Sequence, residues 1–346
     1  MPAALSPDHV RVVRADKGAV LVLSAPELMA AATPRRVTID RDGLVPTQDG
    51  DRLPPTVGDW LLVDDTDGGP HARTLAPRRT ALVRDTAGGT SRVQALAANI
   101  DVVLVVEHLD PDPQLGRVER LLTLAWRSGA RPVVVLTKAD LVPDPAGMAE
   151  EVAAVALAVD VHAVSVPTGE GLEPLRALLV PGTTLVVVGP SGAGKSTLVN
   201  ALAGRDVMAT GGRRTDGRGR HTTTHRELVR LAGGAMLIDT PGIRGVGVVA
   251  DGDALDTTFA DLAELALRCR FADCRHAGEP GCAIQSALDS GELSERRYES
   301  WRRLAREAAY QSRRTDAHLA AQEKRRWKQQ TRQYQRGLRG PGKPRG

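Results

Sequence analysis

The chain has 346 residues, 42% apolar and 25% charged, the balance of a soluble globular protein long enough for two or three domains, each with its own core. Its longest uninterrupted apolar run, Val152 to Val159, is far too short for a bilayer, and the N-terminus lacks the basic start, apolar stretch and cleavage site of a signal peptide. A cytoplasmic protein with no membrane partner is therefore expected, and the formal net charge of +4 is unevenly spread, with 14 Lys and Arg against 3 Asp and Glu from Trp301 onward.

Residues 1–85 carry short alternating or β-branched stretches, Val10 to Val13, Ala19 to Leu23, Val37 to Asp40, Trp60 to Val63 and Ala81 to Arg84. Turns such as Asp42-Gly43 and Asp67-Gly68-Gly69 break them, which predicts a small all-β barrel of the OB-fold or SH3-like kind. Over residues 86–248 the pattern becomes apolar runs alternating with helical stretches. Val102 to Val106, Val133 to Leu136, Val161 to Val164 and Leu185 to Val188 read as strands. Arg117 to Arg127, Met148 to Val159 and Leu172 to Leu179 read as helices between them, so a parallel sheet flanked by helices is expected. Arg205 to Arg220 is a Gly- and Arg-rich loop before strands at Glu227 to Leu231 and Ala235 to Ile238. Residues 249–346 hold all three cysteines, helical spacing at Tyr298, Trp301 and Leu304, and a basic tail whose end is too polar to pack.

Gly189-Pro190-Ser191-Gly192-Ala193-Gly194-Lys195-Ser196-Thr197 follows an apolar strand and opens a helix, the setting a P-loop needs. Its amides and helix N-terminus can nest the β-phosphate, Lys195 can bridge the β- and γ-phosphates, and Ser196 can ligate Mg²⁺. A plain Gly-rich turn is the bland alternative, and it requires one of only 6 lysines to fall there by chance. Asp239-Thr-Pro-Gly242, after a strand, places a carboxylate for Mg²⁺ and an amide for the γ-phosphate, although alone such a tetrapeptide is often just a turn. Thr137-Lys138-Ala139-Asp140 ends another strand. Asp140 can accept from guanine N1–H and the 2-amino group, the Lys138 stem can cover the purine, and Ser165 of the following loop can support both; an ordinary solvated loop is the competing reading. Cys269-x4-Cys274-x-His276-x5-Cys282 supplies a complete tetrahedral set for one structural Zn²⁺ per chain, against buried thiols or a redox pair.

The base selector precedes the phosphate loop, the reverse of the half-order in ordinary small GTPases. With Pro55-Thr-Val-Gly-Asp-Trp60, Ala97-Ala-Asn-Ile-Asp101, Arg-Gly-Arg-His221-Thr-Thr-Thr224 and Tyr298-Glu-Ser-Trp301, this resembles the circularly permuted small-ribosomal-subunit GTPase family RsgA, also called YjeQ, over nearly the whole chain. The resemblance implies an N-terminal OB-fold, a permuted G domain binding GTP or GDP with Mg²⁺, and a zinc domain, acting on the small ribosomal subunit and its rRNA. It also implies Thr223 as the second Mg²⁺ hydroxyl. Two departures stand out. Thr137 replaces the usual Asn, which bears on nucleotide affinity, and Ile243 stands where many GTPases hold water with Gln. The isolated protein is thus expected to be a slow monomeric GTPase in which His221, on the mobile loop, orients the water once the small subunit orders it.

The tail arginines and lysines, interleaved with Tyr310 and Trp327, suit phosphate contacts and stacking, or else a solvated helix face. Two rival classes remain, a P-loop ATPase or small-molecule kinase and a non-catalytic zinc RNA-binding module.

Overall fold

The computed structural model describes residues 6–30, 32–85, 93–208, 226–239, 252–310 and 312–313. The N-terminal strands are β1 (Val10–Asp16), β2 (Ala19–Ser24), β3 (Arg35–Thr38), the short β4 (Val45–Pro46) and β5 (Arg52–Leu53), β6 (Trp60–Thr66) and β7 (Gly69–Leu75), with helix α1 (Ala25–Ala30) after β2. They close as β1-β2-β3-β7-β6 and back to β1, all antiparallel except β3 with β7. Alternation decides which side chains fill the barrel: Val10, Val12, Val20, Val22 and Val37 pack with Leu61 and Leu75 inside, while Val13, Leu23 and Trp60 turn outward into the neighbouring core.

Ala81 to Arg84, expected in the barrel, is instead β8 (Ala81–Asp85), paired only with β9 (Val93–Ala98). The chain has already left the barrel there: Ala81 N–H donates to Ser128 O at 3.0 Å, and Thr80 Oγ1 lies 2.6 Å from both the nitrogen and the oxygen of Ile100.

The central elements are β10 (Val102–His108), α2 (Leu115–Arg127), β11 (Arg131–Thr137), α3 (Pro145–Ala153), β12 (Asp160–Ala163), α4 (Glu173–Arg176), β13 (Thr184–Val188), α5 (Lys195–Ala203), β14 (Glu227–Arg230) and β15 (Met236–Asp239). The order β12-β11-β10-β13-β15 is parallel throughout, and β14 lies antiparallel on β15. Both faces are covered. Val103, Val105, Val134 and Leu136 enter one core, and Val102, Leu104, Val133 and Val135 the other, which is why these strands read as continuous apolar runs. Two expected helices are shorter than predicted. α3 stops at Ala153 because the chain then tucks Val155 and Ala156 into the core through tight turns, ending in a left-handed Ala158 (φ 56°). Leu172 to Leu179 keeps only the four helical residues of α4.

The barrel and this sheet are continuous through one β1–β14 pairing, Arg14 with Glu227. Gly58 (φ 93°) permits their close approach: a Cβ there would lie 2.1 Å from Ala98 O. The C-terminal part is helical, with α6 (Gly252–Thr258), α7 (Ala260–Leu267), α8 (Ala283–Ser290) and a long helix, α9, over residues 295–310. Phe259, Leu262, Ile284, Tyr298 and Leu304 form its core, and α6 packs on α2. Among the described residues no helix is long and apolar enough to cross a membrane.

Candidate functional site

The chain runs from β10 outward through β11 to β12, then returns to the other side of β10 as β13. This reversal makes the C-terminal ends of β10 and β13 the switch point of the sheet, where open α/β sheets bind ligands. The phosphate loop lies there. β13 is buried because its TLVVV sequence suits a central strand, and Gly189 follows it where a Cβ would sit 2.1 Å from Val106 O. Gly192 (φ 82°) and Gly194 (φ 74°) complete the wrap. No side chain caps the start of α5, so its first amides are open to a phosphate. The Lys195 ammonium bends over its own loop, donating to Gly189 O at 2.9 Å and to Pro190 O. Ser196 is half-buried beside it, while Ser191 and Thr197 are exposed.

The second loop closes onto the first. Thr137, 3% exposed at the end of β11, donates its single hydroxyl proton between Ala193 O at 2.8 Å and Glu107 O at 3.2 Å. Lys138 turns left-handed (φ 64°), and its ammonium donates to Asp110 O at 2.8 Å. Asp140 follows in a single 3-10 turn, exposed and open to a ligand. The third loop joins through Ala139 N–H to Val164 O at 3.1 Å. Ser165 is fully buried, and its hydroxyl accepts from Thr168 N–H at 3.3 Å; no bond between it and Asp140 occurs among the described residues. Asp239 closes β15 with its backbone opposite Glu227, beside the phosphate-loop strand. His221, Thr223, Gly242 and Ile243, most of the Arg205 to Arg220 loop and the tail from residue 314 lie outside the described residues.

Farther along the chain the ligand atoms of Cys269, Cys274, His276 and Cys282 all lie within 4.8 Å of one another. His276 Nδ1 is 3.5 Å from Cys269 Sγ and 3.6 Å from Cys282 Sγ. A tetrahedral zinc with ordinary Zn–S and Zn–N bonds sets sulfur and nitrogen about 3.6 Å apart, so the donor set fits that ion. Ala283 N–H and Gln285 N–H donate to Cys269 Sγ and Cys282 Sγ, the support thiolates need. Tyr298 O–H holds the His276 carbonyl, and the Trp301 ring packs edge-on at 5.9 Å from the imidazole.

A family profile described as RsgA GTPase matches residues 75–249. Small ribosomal subunit biogenesis GTPase RsgA of Streptomyces coelicolor is 48% identical over 92% of this chain and 85% of its own length. A Listeria monocytogenes relative of the same name is 46% identical over 79% of this chain and 78% of its own. The chain belongs to the RsgA GTPase family. It is a GTP hydrolase, and its ligand is a guanine nucleotide. The solved structures of YjeQ from Thermotoga maritima (24% identity, TM-score 0.61, 87% of this chain and 98% of that one) and of YloQ, a circularly permuted GTPase (21% identity, TM-score 0.59), share its fold.

Several positions around the RsgA site were not legible as functional in the sequence. Glu107, fully buried at the end of β10, is met by Arg117 of α2 through bonds of 2.6 and 2.8 Å. That bond raises the Arg117 pKa above its ordinary value, and the pair braces the carbonyl that Thr137 uses. Farther along α2, fully buried Glu119 receives Arg297 of α9 at 2.9 Å and Arg296 at 3.0 Å. Arg297, 3% exposed, also grips Asp261 twice and the carbonyls of Thr258 and Val155. This clamp fastens the Cys/His unit to α2. The one available signal was a glutamate inside the apolar stripe Val118, Leu121, Leu122.

Proposed function

We propose that this GTPase acts in maturation of the small ribosomal subunit, as the names of its relatives describe for them. In this reading the ring of β1 to β7 is an OB-type RNA-binding barrel, the chain from β8 to residue 248 the permuted G domain, and 249–346 a zinc domain with a basic tail, the barrel and tail gripping rRNA. The barrel ring with its single parallel β3–β7 pair supports the first of these.

The observation that carries the site is the Thr137 hydroxyl on Ala193 O, which fixes the base-selecting loop to the phosphate loop. Asp140 reads guanine N1–H and the 2-amino group while Lys138 covers the ring. The amides of Gly189 to Thr197 hold the β-phosphate, and Lys195 leaves its own loop carbonyls to meet the β- and γ-phosphates. Mg²⁺ held by Ser196 and Thr223, with Asp239 behind it, would neutralise charge on the phosphate oxygens. The Gly242 amide meets the γ-phosphate. Water, oriented by His221, attacks the γ-phosphorus as its bond to the bridging oxygen breaks, leaving GDP and inorganic phosphate. Because Asp239 to Gly242 leads directly into the zinc unit, loss of the γ-phosphate can be passed to the rRNA grip.

The test is GTP turnover by the protein alone and with purified small or large subunits, for the parent and His221→Ala. Stimulation by small subunits only, lost in the variant while nucleotide and subunit binding persist, is expected. Equal turnover in all three conditions would overturn subunit dependence, and full stimulation of His221→Ala would remove the histidine from the mechanism.

A further inference from the structure

A cavity of about 470 Å³ lies between the barrel and the G domain, at the N-terminal ends of β13 and β15 and therefore opposite the nucleotide loops. Leu28, Met29 and Trp60 from the barrel side and Met236 from β15 give it apolar walls, and Arg11 and Arg79 line its polar end. Arg11 is the unusual member. It is 5% exposed, yet every hydrogen bond it makes goes to a neutral oxygen: Gly58 O at 3.4 Å, Asn99 O at 3.1 Å and Thr184 Oγ1 at 2.8 Å. Those bonds use Nε and Nη2, and Nη1 has no partner among the described residues. The Trp60 ring centre lies 5.4 Å from its guanidinium carbon, and the charges of Asp101, Arg79 and Asp59 act on it only across a longer distance.

Buried charges in folded proteins are paired, because an isolated one loses its hydration without return. Nearby Arg78 obeys that rule on the buried Asp59, and the cavity's other arginine, the half-exposed Arg79, pairs with Asp101. Asp101 also lines the cavity, but its oxygens are taken by Arg79 at 3.1 Å and Thr184 N–H at 2.8 Å. Arg11 shares no carboxylate within salt-bridge distance among the described residues. Burial draws its pKa down to about 10, which still leaves it charged at neutral pH. The two guanidinium groups and one carboxylate around the cavity sum to one uncompensated positive charge facing a wall of Leu, Met and Trp.

We propose that this cavity is a binding site for a small amphiphilic monoanion, an aliphatic carboxylate whose head meets Arg11 and whose chain lies along Leu28, Met29 and Met236. Charge and apolar surface are both required. The site draws residues from both the barrel and the G domain, so its occupant bridges the two. It needs no nucleotide, and its outcome is independent of the GTP reading.

Octanoate titrated calorimetrically into the nucleotide-free full chain tests it, with acetate and octan-1-ol as half-probes. Octanoate should saturate at one per chain with a Kd of about 1 mM or tighter, and neither half-probe should match it. Met29 is 39% exposed, so Met29→Glu should leave folding and Tm unchanged and weaken octanoate at least about tenfold by repulsion at the mouth. Arg11→Met should weaken octanoate and leave octan-1-ol binding intact, its own Tm reporting whether it folds; if it does not, Met29→Glu decides. No saturable octanoate binding, octan-1-ol or acetate binding as tightly, or unchanged affinity in Met29→Glu would each overturn the proposal.

Discussion

The nucleotide loops and the Cys/His unit of this molecule are held in different ways. The nucleotide loops are joined to one another by backbone carbonyls and one short hydroxyl, Thr137 to Ala193, Ala139 to Val164 and Lys138 to Asp110, with a single buried ion pair, Glu107 with Arg117, behind them. The neutral bonds are worth only about 1 kcal/mol net each and the ammonium one about 2, which suits loops that must rearrange around a ligand. The Cys/His end has a small core, four potential metal ligands and a clamp of buried charge, Arg297 between Glu119 and Asp261. One region is adjustable, whereas the other is fastened at a few costly points. The proposed passage of phosphate loss into an attached module would need this division, since a module that is loose at its anchor transmits nothing.

Breaking the fastened side should give the largest effects. Chelation of zinc, or Cys274→Ser, should unfold the C-terminal unit, because structural zinc supplies about 10 kcal/mol or more of folding free energy. Metal analysis and circular dichroism check this, and a metal-free protein with an unchanged C-terminal fold would mean that the core alone suffices. Next, Arg297→Leu leaves the buried Glu119 with only the half-exposed Arg296, and should cost about 3 kcal/mol in denaturant unfolding while GDP affinity barely changes. A loss of GDP affinity as large as the loss of stability would show that the two ends are one cooperative unit.

On the adjustable side the effects move to binding. Asp140→Asn should weaken GDP at least about a hundredfold and shift preference to xanthosine diphosphate, with Tm unchanged because Asp140 is exposed. Unchanged GDP affinity would take Asp140 out of base selection. The smallest effect belongs to Thr137→Val, which keeps the shape and deletes the proton shared by Ala193 O and Glu107 O. About 1 kcal/mol is at stake, so GDP affinity should fall about fivefold, read by equilibrium titration. A parent-like affinity would show that the Arg117–Glu107 pair holds the loop by itself.

Much of this was legible locally. The glycines of the phosphate loop, the Lys138 and Asp140 pair and the Cys/His spacing announce themselves because each needs particular residue types a few positions apart. The alternating valines of β1 and β2 likewise declared a barrel, and the continuous apolar runs of β10 and β11 a sheet covered on both faces. Residues that work by long-range pairing were silent. Arg297 is one more base in a charged stretch, and Arg11 the single polar residue of the Val10 to Val13 stretch, until the fold buries one against Glu119 and the other in a cavity. β8 was placed in the barrel because its pattern fits any sheet, and only its bond to Ser128 shows where it goes.

The sequence by itself determined the order of motifs, and so the permuted connection from Asp239 into the metal-ligand segment, because chain order is covalent. It also determined the donor set of that segment, because this depends on residue type and short spacing. Only the tertiary structure decided that Thr137 spans the two nucleotide loops and that α2 carries Glu107's partner at one end and the clamp on α9 further along. It alone decided that Arg11 is buried without a carboxylate in salt-bridge contact among the described residues. The physical reason is the same in each case: a charge or hydroxyl acquires its role from what replaces its water, and that is fixed only when distant segments pack.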